Sequence, residues 1–213
     1  MSPHRADSFL QALAGIRERL RDGVFRPGER IAATEVADLL GLSPTPVREA
    51  LSRISGEGLL EDRRGQGFFV SALTGLDIAD LYRLSLTHLT LAMDSQRLST
   101  RGTVAPGRER RPGVATDPVQ DVERLFVDWM IEGGGQSLWM SYRSLFIKLG
   151  PVRRVEPMVF EDLANEAAAL RELTDDSTAA ERLLALKAFH IRRIYRADRL
   201  APLLNRRREG EEV

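Results

Sequence analysis

Residues 34–58 contain two short amphipathic segments separated by Gly41, and this pattern constrains the fold more than any other feature of the chain. In the first segment Thr34 is a suitable N-cap, and one helical face is apolar. That face carries Val36, Leu39 and Leu40. Gly41 is expected to end the segment. A short helix is therefore predicted just before residue 42.

The second segment begins with Ser43, a natural N-cap, and both of its prolines fall in the first helical turn, where missing amide protons cost nothing. The inward positions are Val47, Leu51 and Ile54, and the outward positions are Thr45, Arg48 and Ser52. Two short helices joined by a tight glycine turn have the dimensions of a helix-turn-helix.

A helix and a hairpin flank this pair. Ser8 to Gly23 is typical of an amphipathic helix capped by Ser8, and Phe25 is expected to fill the small core. Residues 58–62 and 68–70 have the character of two strands, and the glycines of Arg63-Arg64-Gly65-Gln66-Gly67 permit a sharp turn with positive charge at its tip. We therefore expect an N-terminal winged helix-turn-helix of three helices plus a β-hairpin wing.

Three segments carry a family resemblance. They are Phe25-Arg26-Pro27-Gly28-Glu29-Arg30-Ile31, the run from Val36 to Leu51, and Glu57-Gly58-Leu59-Leu60. Together they resemble the winged-helix DNA-binding domain of GntR-family bacterial transcription regulators, across roughly the first third of the chain. The resemblance implies double-stranded DNA as a partner. It also implies contacts from the start of the recognition helix and the wing tip, which here are Ser43, Thr45, Arg48, Arg64 and Gly65.

Arg48 is the strongest candidate for reading a base, since the fifth position past the cap projects into a major groove when the helix docks by its N-terminus. The alternative is a solvated arginine paired with Glu49 or Ser52. Ser43 and Thr45 would bind phosphate or read a base edge, or serve only as caps.

Arg53 and Arg63 have two interpretations, as phosphate contacts or as solvated surface. Many relatives carry arginine where this chain has Pro44, and some carry it where this chain has Thr34. These departures imply lower affinity, a shifted operator, or compensation by Arg63 and Arg64, because each lost phosphate contact lowers the salt slope by about one unit.

From Thr74-Gly75 onward the pattern is helical. The helix from Leu76 to about residue 97 opens like the effector domain of the FadR subfamily, with Ser85 and Leu89 where that subfamily commonly has Arg and Glu. Further helices are predicted at 119–132, 137–149, 157–173, 178–196 and from 200 onward. The expected fold is mainly α, with a winged helix-turn-helix at 1–73 and an all-α helical effector-binding or dimerisation bundle at 74–213.

Residues 99–118 have almost no apolar content, which predicts a mobile loop, or alternatively a basic arm through Arg108, Arg110 and Arg111.

Aromatic side chains are concentrated in the bundle, where they form either an effector cavity or ordinary core. The apolar candidates are Phe126, Trp129, Trp139, Met140, Tyr142 and Phe146, and the polar candidates are Arg143, His190, Arg193 and Tyr195. This set suits a small organic anion with an apolar body. His190 is alternatively a hydrogen-bonded core histidine.

Several classes of site are not expected. Glu123 and Val127 stand where metal-binding members of the subfamily place Asp and His, so we predict no metal and no cofactor. The chain has no Cys, no phosphate-binding glycine loop and no nucleophile elbow, so we do not expect an enzyme. No apolar run approaches the length of about 20 residues that spans a bilayer, and no signal peptide is apparent. We expect a cytoplasmic protein without a membrane partner.

The 213-residue chain has 31 basic and 31 acidic residues, so any contact with DNA must be local. We interpret it as a sequence-specific transcriptional regulator, a ligand-responsive repressor that binds a palindromic operator as a homodimer. The helix from Leu76 would transmit the effect of the ligand. The alternatives are a protein-interaction module and a constitutive regulator whose bundle only dimerises and binds no effector.

Overall fold

The computed structural model describes residues 3–99, 117–173 and 177–206. The first part of the chain contains α1 (Pro3–Arg21), β1 (Arg30–Ile31), α2 (Ala33–Leu40), α3 (Pro44–Gly56), β2 (Glu61–Arg63) and β3 (Gly67–Phe69). The second part contains α4 (Gly75–Ser99), α5 (Pro118–Gly133), α6 (Gln136–Val155), a 3-10 turn (Glu156–Met158), α7 (Leu163–Glu172), α8 (Ala179–Ile194) and α9 (Ala197–Asn205). The prediction of a mainly α chain with a winged helix-turn-helix followed by helices is confirmed.

The wing is part of a three-stranded antiparallel sheet with the order β1-β3-β2, and the sequence did not predict β1. Strand β2 begins later than expected, at Glu61, because Gly58 and Leu59 belong to the turn that ends α3. Gly58 adopts a left-handed φ of 70°, and the Leu59 amide donates to the Ile54 carbonyl at 3.2 Å. This helix-ending turn precedes the hairpin.

A first hydrophobic core joins α1, α2, α3 and the sheet, and it includes Phe25 as predicted. Two predicted caps are wrong, because both helices begin earlier: Ser8 lies inside α1, and Ala32 rather than Thr34 precedes α2. Leu39 is 63% exposed, contrary to prediction. Val36 and Ala37 fill the buried side of α2. Leu39 is two residues after Ala37, about 200° around the helix from it, and therefore lies at the solvent-facing edge.

A second core joins α4 to α9. On α4 the buried face includes Ile78, Tyr82 and Leu89, whereas Leu84 and Leu91 are each 49% exposed. Leu84 and Leu91 are seven residues apart, so they share an outward face of the same helix. None of the helices within the described ranges has the length and apolarity needed to cross a lipid bilayer.

Helix α6 connects the two cores. It was predicted to end at Gly150-Pro151, but it continues through Pro151 to Val155. Interior proline costs a helical hydrogen bond, and here burial of Leu149 and Val152 in the bundle favours the longer helix. On its other side α6 places Ile147 in the first core. A Cβ at Gly150 would lie 2.1 Å from the Arg21 carbonyl oxygen, so the backbones of α6 and α1 are in close contact.

Three further predictions concern segments near α4 and α7. The helix predicted at 157–173 is instead the 3-10 turn and α7. Helix α8 begins as expected, with a reciprocal capping box between Thr178 and Glu181. Most of the loop predicted at 99–118, including Arg108, Arg110 and Arg111, lies outside the described residues.

Candidate nucleic-acid interface and bundle interior

The start of α3 presents an exposed polar surface. Ser43, Thr45 and Arg48 are all exposed, and Ser43 precedes the helix without a side-chain cap hydrogen bond. Pro46 is buried, so the first turn of the helix is held by its apolar side. The Ser43 and Thr45 hydroxyls and the N-terminal end of α3 therefore face solvent, where helix dipoles favour phosphate.

The four arginines near this surface differ in what they bind within the protein. Arg53 donates from Nε to Glu57 at 3.2 Å, and Arg63 donates to Glu61 at 3.1 and 2.9 Å while its guanidinium lies 4.2 Å from the Phe69 ring centroid. Arg48 and Arg64 make no hydrogen bond or ion pair within residues 3–99, 117–173 and 177–206. Their guanidinium groups are thus free to bind a partner.

The wing tip has the geometry expected of a tight turn. Gly65 has a φ of 75°, a left-handed conformation that favours glycine. The Gln66 amide donates to the Arg63 carbonyl at 2.8 Å. The turn places Arg64 and Gly65 at the exposed end of the hairpin, as predicted for DNA-binding residues.

Glu57, at the C-terminal end of α3, lies close to several arginines. Its carboxylate accepts from Arg17 of α1 at 2.6 Å, and Arg143 of α6 lies 3.9 Å away. Burial by itself raises the pKa of the Glu57 carboxyl, but Arg17, with smaller contributions from Arg53 and Arg143, brings the pKa below its usual value. Arg143, an effector candidate, therefore lies at the boundary with the winged helix-turn-helix.

The other effector candidates lie mainly in the core of the bundle. Trp129 and Tyr142 are buried, and Trp139 is partly buried against them. Met140 and Tyr195 are exposed, so neither faces the interior as the cavity hypothesis required. The aromatic residues are packed against one another: Phe126 contacts Trp129 at 5.7 Å, and Trp139 contacts Tyr142 at 6.3 Å between ring centroids.

His190 is fully buried with both ring nitrogens in hydrogen bonds. Its Nδ1 lies 2.8 Å from the Leu186 carbonyl and therefore carries the proton, and its Nε2 accepts from the Ser85 hydroxyl at 3.0 Å. Burial lowers the pKa of His190 to about 3, so the ring is neutral. Within the described ranges no group of three or more His, Asp or Glu side chains is arranged to hold a metal ion.

Arg193 is part of a buried ion-pair network. It donates to Glu156 at 3.0 and 2.8 Å and to Glu166 at 2.9 and 2.7 Å. Tyr82 donates to the same Glu156 carboxylate. Burial disfavours the charged form of Arg193, but the two glutamates outweigh that effect and raise its pKa. Arg193 is thus already saturated with carboxylates.

One buried cation was not predicted. Arg153 of α6 is 1% exposed, and it was overlooked because the helix was expected to end before it. The sequence contained a signal: Tyr142, Leu145, Leu149 and Arg153 follow helical spacing on one face. A longer α6 would have placed Arg153 inside the bundle.

Comparisons with known proteins match the first part of the chain. The family of bacterial regulatory proteins named gntR matches residues 10–70. The transcriptional regulator YdhC of Bacillus subtilis is 33% identical over 86 residues, 40% of this chain and 38% of that protein. The Nta operon regulator of Aminobacter aminovorans is 48% identical over 60 residues, 28% of this chain and 29% of that protein. Each of these matches spans less than half of the relative.

The fold also resembles a solved structure along most of the chain. Escherichia coli McbR/YncC superposes with a TM-score of 0.61 over 90% of this chain and 97% of that chain, at 19% identity. The matched relatives are transcriptional regulators rather than enzymes. Residues 10–70 of this chain are therefore a winged helix-turn-helix domain of the bacterial GntR family.

Proposed function

We propose that this chain is a transcriptional regulator that binds double-stranded DNA through the start of α3 and the tip of the wing. The observation that carries the proposal is Arg48, which is exposed on the outer face of α3 and has no protein partner in the described ranges. Arginine can donate two hydrogen bonds to the guanine edge in a major groove. In a GntR-family domain, an unpaired arginine at this position is well placed for that contact.

Ser43, Thr45, Arg64 and Gly65 would position the domain on the phosphate backbone. Arg53 and Arg63 would contribute less, because each is already hydrogen-bonded to a glutamate. The net charge of zero means that this local surface supplies the attraction for DNA.

The proposed assembly is a homodimer on a near-palindromic operator, with the recognition helices one helical turn of DNA apart. The outward faces of α4 and α8 carry exposed apolar side chains that a second copy would cover. They are Leu84, Leu91, Leu184 and Ile191. A symmetric dimer covers the same patch on both subunits.

The proposal also includes repression that is relieved by a small organic anion bound in the bundle. A coupling free energy of about 1–3 kcal/mol would change operator occupancy five- to 150-fold. Helix α6 is a route for this coupling, in addition to the expected α4, because it packs in both cores.

A constitutive regulator is the second candidate function. It is favoured by the saturated hydrogen bonds of His190 and the paired charges of Arg193, which leave neither group available to an effector. In that case the bundle would only dimerise.

The decisive experiment is to capture genomic DNA fragments on the purified full chain, sequence them, and titrate the recovered site by mobility shift. A sequence-specific DNA-binding protein should bind that site more tightly than random duplex, and its affinity should fall steeply as the salt concentration rises. Equal, salt-insensitive binding to both duplexes would contradict the proposal and favour a protein-interaction module.

A further inference from the structure

Arg153 is buried in the bundle without a hydrogen-bond partner. None of its three guanidinium nitrogens makes a hydrogen bond within the described parts of the chain. The nearest carboxylate oxygen among the described residues, Oε1 of Glu123, is 3.7 Å from Nη1 of Arg153, which is too far for a hydrogen bond. Because buried charged groups are normally hydrogen-bonded, this side chain requires a partner that residues 3–99, 117–173 and 177–206 do not supply.

The carboxylates around Arg153 are bound elsewhere. Glu123 accepts from Arg154 at 3.3 and 3.2 Å, and Glu156 accepts from Arg193 and Tyr82. Burial disfavours the charge of Arg153, while nearby Tyr142 and Glu123 favour it and bring a net rise in its pKa. Arg153 is therefore a charged donor whose neighbouring acceptors are occupied.

The rest of the environment suits an anion that has an apolar part. The guanidinium carbon lies 5.6 Å from the Phe126 ring centroid and 5.8 Å from that of Phe146. The Tyr142 hydroxyl is a second buried group that makes no hydrogen bond with any residue the structure describes. An oxyanion beside Arg153 would accept hydrogen bonds from donors that are buried away from water.

Arg153 also lines a cleft that an anion could enter. Its apolar lining comes from the start of α5, the start of α7 and the middle of α8, and consists of Pro118, Val119, Val122, Leu163 and Phe189. The cleft has a free volume of about 10 Å³, roughly the space of one water molecule. Drug-sized ligands occupy about 300–1,000 Å³, so only a small anion could bind here, and the lining side chains would have to move apart to admit it.

We propose that Arg153 is the anion-binding group of the bundle, and that its ligand is a small carboxylate held by a two-pronged pair of hydrogen bonds. This inference rests on the proposed ligand-responsive regulator and replaces Arg143 and Arg193 as the main contact of the anion. Arg154, the next residue, lies 3.6 Å from Asp22 just after α1. An anion at Arg153 would therefore bind next to the contact between the bundle and the DNA-binding domain.

The test compares the wild-type full chain with Arg153→Met, Arg153→Lys and Arg124→Met, whose native arginine is exposed on α5. Melting temperature is measured against sodium acetate, succinate, benzoate and phosphate at constant ionic strength, with chloride as reference. The wild type and Arg124→Met should show a saturable rise with at least one carboxylate. Arg153→Met should weaken that response about 30-fold or more, and Arg153→Lys should restore part of it.

The ligand-free stability separates a binding role from a structural one. A buried cation without hydrogen bonds carries a desolvation cost that an apolar side chain does not, so Arg153→Met should melt no lower than wild type in chloride. A clearly lower melting temperature would make Arg153 a structural partner of Glu123 and overturn the proposal. A response to phosphate alone would overturn the choice of carboxylate, and an unsaturable response to every probe would overturn the site.

Operator binding is measured on the same samples. Wild-type protein that binds its operator but no carboxylate overturns the Arg153 site alone. Saturable carboxylate binding lost in Arg153→Met, by protein that binds no DNA, supports the site and removes the proposed regulatory function.

Discussion

Arg143 of the bundle lies 3.9 Å from Glu57 at the C-terminal end of the recognition helix. Glu57 is held more closely by Arg17 of α1, at 2.6 Å, so one carboxylate connects α1, α3 and α6. The orientation of α3 is thus tied to the bundle as well as to its own domain. A movement of α6 would therefore shift the C-terminal end of α3, the helix proposed to enter DNA.

Replacing Glu57 by Gln should lower the stability of the protein. The change leaves the partly buried Arg17 guanidinium without its carboxylate, at a cost of about 1–3 kcal/mol. The pKa of Glu57 is lowered by folding, so its stabilisation is present above the unfolded pKa of 4.5 and is lost as the pH falls through the folded pKa. Urea unfolding at pH 7 and pH 4 measures both effects, with exposed Glu161→Gln as control. Equal unfolding free energies for Glu57→Gln and wild type would contradict the role of this carboxylate.

Replacing Arg48 by Ala should weaken binding to the recovered operator. Loss of a two-pronged contact with guanine costs about 1–3 kcal/mol, and discrimination against random duplex should fall with it. Mobility-shift titration measures the affinity. Arg83→Ala removes an exposed arginine from α4, where it pairs with Asp80, and should leave binding unchanged. Affinity equal to wild type in Arg48→Ala would remove its recognition role.

The two wing arginines should differ in their effect on salt dependence. Arg64→Ala should reduce the slope of log affinity against log salt by about 1, because an unpaired arginine is available for a phosphate. Arg63→Ala should reduce it less, because Arg63 is already paired with Glu61. A larger change for Arg63 than for Arg64 would show that the ion pair between Arg63 and Glu61 breaks when the protein binds DNA.

His190 should make the stability of the protein fall in mild acid. Its pKa is lowered to about 3 in the folded state, against about 6.5 in the unfolded chain. The unfolded state therefore binds more protons below pH 6.5, and stability should drop by about 2 kcal/mol between pH 6.5 and pH 5. In urea unfolding, the free energy of unfolding of His190→Gln should differ less between pH 7 and pH 5 than that of wild type. The same difference in both proteins would contradict a buried, neutral His190.

Replacing Gly150 by Ala should disturb the contact between α6 and α1. The added Cβ would lie 2.1 Å from the Arg21 carbonyl oxygen, so one backbone must move. Overpacking of this kind costs about 1–3 kcal/mol and should lower the melting temperature. Gly56→Ala is the control, because Gly56 lies within α3 and nothing lies within 4 Å of a Cβ there. Unchanged melting in Gly150→Ala would mean that the two domains are not rigidly packed.

The helix-turn-helix and the wing could be predicted because their signals are local. The glycine at residue 41, the prolines at the start of α3 and the spacing of Val47, Leu51 and Ile54 act within a few residues. Boundaries were less accurate where contacts distant in sequence extended a helix. Burial of Leu149 and Val152 carried α6 past Pro151, and local rules for proline could not foresee it.

By itself, the amino-acid sequence determined a mainly α chain with an N-terminal winged helix-turn-helix and the polar residues that domain presents. Only the tertiary structure decided which charges are paired, with Arg193 bound by two glutamates, Arg143 facing Glu57, and Arg153 buried with no hydrogen bond to any described residue. The physical reason is that local periodicity assigns a side chain to a face of its helix. Whether that side chain meets a carboxylate, an aromatic ring or an empty cleft depends on a helix that is far away in the sequence.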